Sequence, residues 1–101
     1  QDPRYAVGYL KLGDSFAGSS DARNALASYV RASDLAPQDI PINLKAGNLL
    51  LVARRFQDAK TRARNILVKD PKNVAGLVLL GNSLAGLQSL DEAVDVAAVE
   101  D

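Results

Sequence analysis

The side chains that most enzymes use for acid-base and nucleophilic chemistry are scarce in this sequence. Its 101 residues include no histidine and no cysteine, which removes imidazole and thiolate groups as bases, nucleophiles and metal ligands. A nucleophile would have to be a serine or Thr61, with a lysine or a carboxylate as its base. No glycine-rich phosphate loop, nucleophile elbow or metal-ligand spacing accompanies these residues. The sequence therefore predicts a non-catalytic protein with no cofactor and no bound metal.

Proline, glycine and alanine instead recur together with a period of 34 residues. The three sets are Pro3, Pro37 and Pro71, then Gly13, Gly47 and Gly81, then Ala25, Ala59 and Ala93. A unit of this length holds two helices and two turns. The shared register therefore predicts an array of helix hairpins.

Apolar residues spaced by about 3.6 positions predict two helices in the first unit and two in the second. One stripe marks the first helix: Tyr5, Tyr9, Leu12 and Phe16. The turn at 18–21 offers side-chain oxygens that cap a second helix over about 22–36. In the second unit, Asp39 is expected to cap the first helix, which tolerates Pro41 in its opening turn, and the partner helix spans about 56–69.

In the third unit Asn73 is a good helix cap, and a leucine stripe follows it at Leu77, Leu80, Leu84 and Leu87. Ser89 and Glu92 have the spacing of a capping box, which predicts the start of a last helix that runs to about Asp101. Gly81 is expected to face that helix at close range, so that a large side chain at this position would separate the pair.

The pattern of the first unit is Tyr9-x-x-Leu12-Gly13-x-x-Phe16, Ala25-x-x-x-Tyr29 and Pro37. It resembles the tetratricopeptide repeat in order and in spacing. The third unit repeats it as Leu77-x-x-Leu80-Gly81-x-x-Leu84 and Ala93-x-x-x-Ala97. The middle unit departs from it, because Asn43, Ala46 and Ala63 stand where large apolar residues are usual.

The resemblance implies an all-α fold, a right-handed α-α superhelix of three helix-turn-helix repeats with the last one truncated. A single array over 1–101 is expected, with repeats at about 6–39, 40–73 and 74–101. The chain begins at what looks like the closing Asp-Pro of an earlier repeat and stops inside the last helix. We therefore expect an excerpt from a longer bacterial protein with many such repeats.

The resemblance also implies that the first helices of the units line a concave groove that binds a peptide segment of a partner protein. It places these residues there: Val7, Leu10, Asp14, Leu44, Lys45, Asn48, Leu51, Val78 and Asn82. Asn side chains both donate and accept, so they can pair with an extended peptide backbone. The alternative is that they hydrogen-bond a neighbouring helix of their own chain.

Some members of this family grip a C-terminal carboxylate with lysine, asparagine and arginine. The corresponding positions here are Leu10, Asp14, Lys45, Ala75 and Leu79. Only the lysine is basic, and Asp14 would repel an acidic peptide. The groove is therefore expected to take an apolar or mixed segment.

Charge is unevenly distributed, although 12 basic and 12 acidic residues balance. Bases dominate 54–72 and acids dominate 91–101, which predicts a solvated convex surface with attraction between adjacent units. The balanced net charge and the few aromatic residues disfavour a nucleic-acid partner. No apolar run reaches the length of a membrane span.

Two further expectations concern the setting of the array. Apolar residues over 93–99 would normally be covered by a following helix, so either self-association through the last helix or docking of a further repeat is expected. The composition is similar to that of bacterial envelope and exopolysaccharide-export lipoproteins, which suggests a periplasmic assembly factor as the second hypothesis. A structural spacer inside a larger protein is the third.

Overall fold

The computed structural model describes the backbone of residues 3–100 and the side chains of residues 4–93. Over this range the chain forms helices joined by short turns, and none of its described residues lies in a strand. The helices are α1 Pro3–Gly18, α2 Ala22–Leu35, α3 Ile40–Val52, α4 Phe56–Lys69 and α5 Val74–Glu100. The all-α repeat fold predicted from the 34-residue period is confirmed.

Side-chain caps begin three of the helices where the sequence predicts them. The carboxylate of Asp21 accepts from the backbone N–H of Asn24 at 3.2 Å, and that of Asp39 accepts from Ile42 at 3.0 Å. At the start of α5, the Asn73 side chain accepts from the N–H of Gly76 at 2.8 Å. Each cap satisfies a backbone donor that has no partner inside its helix.

The turns inside the first two units are built in the same way, one period apart. Ser20 and Arg54 both adopt the left-handed conformation, with φ of 59° and 61°. After each of them, the next residue's N–H reaches back five residues, from Asp21 to the Phe16 carbonyl at 2.8 Å and from Arg55 to the Leu50 carbonyl at 2.9 Å. This is the Schellman arrangement that ends a helix and turns the chain. It closes α1 onto α2 and α3 onto α4.

The helices pack in chain order, so that the core runs along the array. Its largest part lies between α3, α4 and α5 and contains Leu50, Ala59, Ala63, Ile66 and Leu79. Two further clusters join α1, α2 and α3, around Ala6, Ala32 and Ile42, and around Ala25, Tyr29 and Ala46. Small residues therefore fill many of the closest approaches between helices.

The third unit differs from its prediction, because α5 continues without a break from Val74 to Glu100. Ser89 lies inside this helix and does not begin a new one. The sequence suggests why the third hairpin does not close. Ala32 and Ile66 are fully buried at equivalent positions of the first two units, and one period after Ile66 the chain has Glu100. Folding the segment back would bury a carboxylate, which is costly.

Two predicted apolar stripes are only partly buried. On α1, Tyr5 and Leu12 are exposed, while Ala6 and Gly13 are buried. On α5, Leu77 and Leu84 are about half exposed, whereas Leu79 is buried. The prediction for Gly81 is also wrong, since a Cβ added there would meet nothing within 4 Å. These α5 positions are open because no second helix of the third unit packs on them.

Helix α5 is also the longest helix, at 27 residues. In the part of the chain that the structure describes, no helix combines the length and the apolar character that crossing a bilayer requires.

Candidate peptide-binding face

Asp14 links three helices on the face where the groove is predicted. Its Oδ1 accepts a hydrogen bond from Tyr29 Oη of α2 at 2.6 Å and another from Lys45 Nζ of α3 at 2.8 Å. The Lys45 ammonium also lies 5.9 Å from the centre of the Tyr29 ring. Asp14 and Lys45 therefore hold the first helices of the first two units side by side.

These contacts shift the pKa values of Asp14 and Tyr29. The hydrogen bond from Lys45, followed by that from Tyr29, lowers the pKa of Asp14 from its ordinary value. Burial, followed by the hydrogen bond to Asp14, raises the pKa of Tyr29 to about 12. At neutral pH the Asp14 carboxylate is therefore ionised and the Tyr29 phenol is protonated. The carboxylate can then accept hydrogen bonds from both Tyr29 and Lys45.

The two asparagines one and two periods after Asp14 behave differently. Asn48 and Asn82 are exposed, and neither side chain hydrogen-bonds any described residue. The alternative that they bond a neighbouring helix of their own chain therefore has no support among the described residues. Their amide groups are free to meet a ligand.

The apolar residues of this face divide into two groups. Val7 and Val78 are 46% and 56% exposed. By contrast, Leu10, Leu44 and Leu51 are half-buried and pack against the core. The exposed part of the predicted groove therefore consists of Val7, Asp14, Lys45, Asn48, Val78 and Asn82. We call this set the groove face.

Two features of the groove face disfavour a carboxylate clamp. Lys45, the single basic residue among the corresponding positions, already pairs with Asp14. Leu79, at another of these positions, is buried in the core and cannot reach a ligand. An acidic peptide would have to compete with Asp14 for the lysine.

Three of the hydroxyl groups considered as nucleophiles hydrogen-bond their own helices. Thr61 Oγ1 donates to the carbonyl of Gln57 at 3.2 Å. The buried Ser33 and Ser83 donate to Val30 at 2.9 Å and to Leu79 at 2.7 Å. Such bonds satisfy a hydroxyl inside a packed helix. They give these residues a structural role.

Sequence reasoning missed two polar links between helices. Asn43 is fully buried. Its amide donates to the carbonyls of Pro37 and Asp39 at 3.0 and 2.8 Å, and its oxygen accepts from Asn65 at 3.2 Å. Asn43 stands where the repeat usually has a large apolar residue, and this substitution could have predicted the link. A buried amide at such a position needs hydrogen-bond partners. Asn43 thus ties α3 to α4 and to the preceding turn.

The second missed link joins the outer helices α2 and α4. Arg62 Nη2 lies 3.1 Å from Asp34 Oδ1, and the arginine side chain is only 12% exposed. This pair is not the predicted attraction, which was between the bases of 54–72 and the acids of 91–101. The Nε of Arg62 is buried and finds no acceptor among the described residues, so the contact carries a desolvation cost.

Comparison with known protein families agrees with this architecture. A family model described as tetratricopeptide repeat matches residues 44–100, which is more than half of the chain. The chain belongs to the tetratricopeptide repeat family. Repeats of this family generally mediate protein–protein interaction and are typically non-enzymatic scaffolds. No curated protein matches the chain.

Proposed function

We propose that this tetratricopeptide array binds an extended, apolar or mixed peptide segment of a partner protein along the groove face. The observation that carries the proposal is the pair Asn48 and Asn82, which are exposed, one period apart and without hydrogen bonds to described residues. Val7 and Val78 supply apolar surface on the same face. The asparagine amides can hydrogen-bond the backbone of a peptide, and the exposed valines can contact its apolar side chains.

The spacing of the two asparagines suits an extended strand. Packed helices lie about 8–10 Å apart, and an extended peptide advances about 3.3 Å per residue. Asn48 and Asn82 would therefore meet backbone groups about three residues apart. Asp14 takes no direct part in this scheme, because Tyr29 and Lys45 occupy it. Its role is to fix the relative position of α1 and α3.

The test is selection of short random peptides on the 101-residue chain, followed by calorimetry with the selected peptides. Replacing both Asn48 and Asn82 by alanine should raise the Kd about tenfold or more, since each lost hydrogen bond is worth about 0.5–1.5 kcal/mol. Helicity by circular dichroism should not change. Gln57→Ala, which removes an exposed amide from α4, is the matched control and should leave the Kd unchanged.

Two results would contradict the proposal. If selection yields no binding peptide, the spacer hypothesis replaces it. If an acidic C-terminal peptide binds with submicromolar Kd and keeps that Kd in Lys45→Ala, the expectation of an apolar or mixed ligand is wrong. The periplasmic assembly role stays a prediction from composition.

A further inference from the structure

Helix α5 carries an exposed apolar stripe that the groove face does not use. The stripe consists of Val74, Leu77, Gly81 and Leu84, at the spacing i, i+3, i+7 and i+10. The three large side chains are 74%, 49% and 46% exposed. Gly81 lies among them with open space above its Cα. At 100° per residue, the stripe lies on a different side of α5 from Asn82.

This chain cannot cover the stripe with its own following segment while α5 is straight. Residue 97 lies 16 positions after Gly81, which corresponds to about 24 Å along a helix axis. The spacing of the stripe indicates which kind of element could pack on it. Apolar residues at alternating spacings of three and four form the seam by which two helices pack together.

We propose that the α5 stripe is a self-association surface on which α5 of a second copy packs antiparallel. An antiparallel register centred between residues 82 and 83 places Leu84 of each copy over Gly81 of the other. The large side chain then enters the space that the glycine leaves open, twice in the symmetric contact. Leu77 of each copy lies opposite Gln88 of the other, and Val74 lies opposite Asp91, so the apolar contact is centred on the two Leu84–Gly81 pairs.

Charge complementarity favours the antiparallel orientation. Lys72 lies in the turn just before α5, and Glu92 lies on α5 about 14 Å after the centre of this register. The antiparallel arrangement therefore brings Lys72 of one copy near Glu92 of the other, whereas a parallel one would set like charges together. Lys72 and Lys69 are exposed and make no ion pair with described residues. They are available for the acidic end of a second α5.

The first test is sedimentation equilibrium of the 101-residue chain over a range of concentrations. A contact of this size should give a reversible dimer with a Kd of about 10–100 µM. Leu84→Asp should raise that Kd at least about tenfold, because it places a charge in the apolar seam. Val68→Asp changes an equally apolar, exposed residue of α4 and is the matched control, with no effect on the dimer. A chain that stays monomeric at all concentrations overturns the proposal.

The second test fixes the orientation and uses the absence of native cysteine. Mixing Gly81→Cys with Leu84→Cys under mild oxidation should yield the mixed disulfide dimer. Lys72→Glu should weaken the dimer, and adding Glu92→Lys to it should restore the wild-type Kd. A dimer that Leu84→Asp does not weaken, or that fails to cross-link at these positions, would place the contact elsewhere. That outcome also overturns the proposal.

Discussion

The first two units of the array close into hairpins, whereas the third remains one continuous helix. The closed units turn at Ser20 and Arg54, which share the left-handed conformation. One period later Gln88 stays helical inside α5. Neither turn residue of the closed units is glycine, so turn chemistry alone does not separate the two outcomes. The difference shows that packing across the hairpin decides whether the chain turns.

Positions one period apart make this comparison concrete. Asn43 in the closed second unit is fully buried and bonds to Asn65 of the facing helix. Its counterpart Leu77 is half exposed. Gly47 lies under the side chain of Leu79, whereas its counterpart Gly81 has open space. Each of these repeat positions is therefore packed inside the second unit but open to solvent in the third.

The largest expected effect comes from the pair Asn43 and Leu77. Asn43→Ala should lower the free energy of unfolding by about 2–3 kcal/mol, since it removes a fully buried side chain and leaves the Pro37 carbonyl and the Asn65 amide without their partner. Leu77→Ala should change it by no more than about 0.5 kcal/mol in dilute solution, because its side chain has little to pack against. Urea unfolding of both variants measures the difference. Equal losses would mean that the third unit is closed like the second.

The second pair is Gly47 and Gly81. Gly47→Ala should destabilise the fold by about 1–3 kcal/mol, because the added methyl group meets the buried Leu79 side chain. Gly81→Ala should stabilise it by up to about 1 kcal/mol, since alanine favours the helix and the space is empty. Thermal unfolding should then show melting temperatures that move in opposite directions. A loss of stability in Gly81→Ala would indicate a helix packed against that position.

The smallest effect concerns Tyr29, whose equivalent in the second unit is Ala63. The pKa of Tyr29 is raised to about 12 in the folded chain, above the ordinary value of about 10. In the folded state the Tyr29 hydroxyl therefore stays protonated to a higher pH than in the unfolded state. The stability that this difference contributes is lost as pH rises from about 10 to 12. Tyr29→Phe should lack this part of the alkaline loss. Unfolding of both proteins across that pH range measures it, and identical profiles would contradict the assignment.

The sequence predicted most of the fold because the relevant signals were local. Asp21, Asp39 and Asn73 cap helices where their side chains suggest, and α2, α3 and α4 follow from the proline and glycine register. The same local reasoning failed at Ser89, whose capping-box spacing is present but unused. A cap stabilises a helix start by only about 1 kcal/mol, which is too little to offset the cost of burying the Glu100 carboxylate.

The candidate site was less predictable than the fold. The 34-residue period puts Asn48 and Asn82 at equivalent positions, and both are exposed, but it could not show that Asp14 in the same register would be bonded to Tyr29 and Lys45. Nor could it separate the exposed Val7 and Val78 from the half-buried leucines beside them. Those distinctions depend on the angle at which neighbouring helices meet, which periodicity does not contain.

The most direct test of the open third unit is a distance measured along α5. Spin labels at Ala75→Cys and Ala93→Cys, in labelled protein diluted with excess unlabelled chain, report the separation within one molecule. A continuous helix predicts about 27 Å between the two backbone positions, from 18 residues at 1.5 Å each. A hairpin closed near Gln88 would bring them to about 15 Å. The shorter distance would contradict both the straight α5 and the exposed stripe.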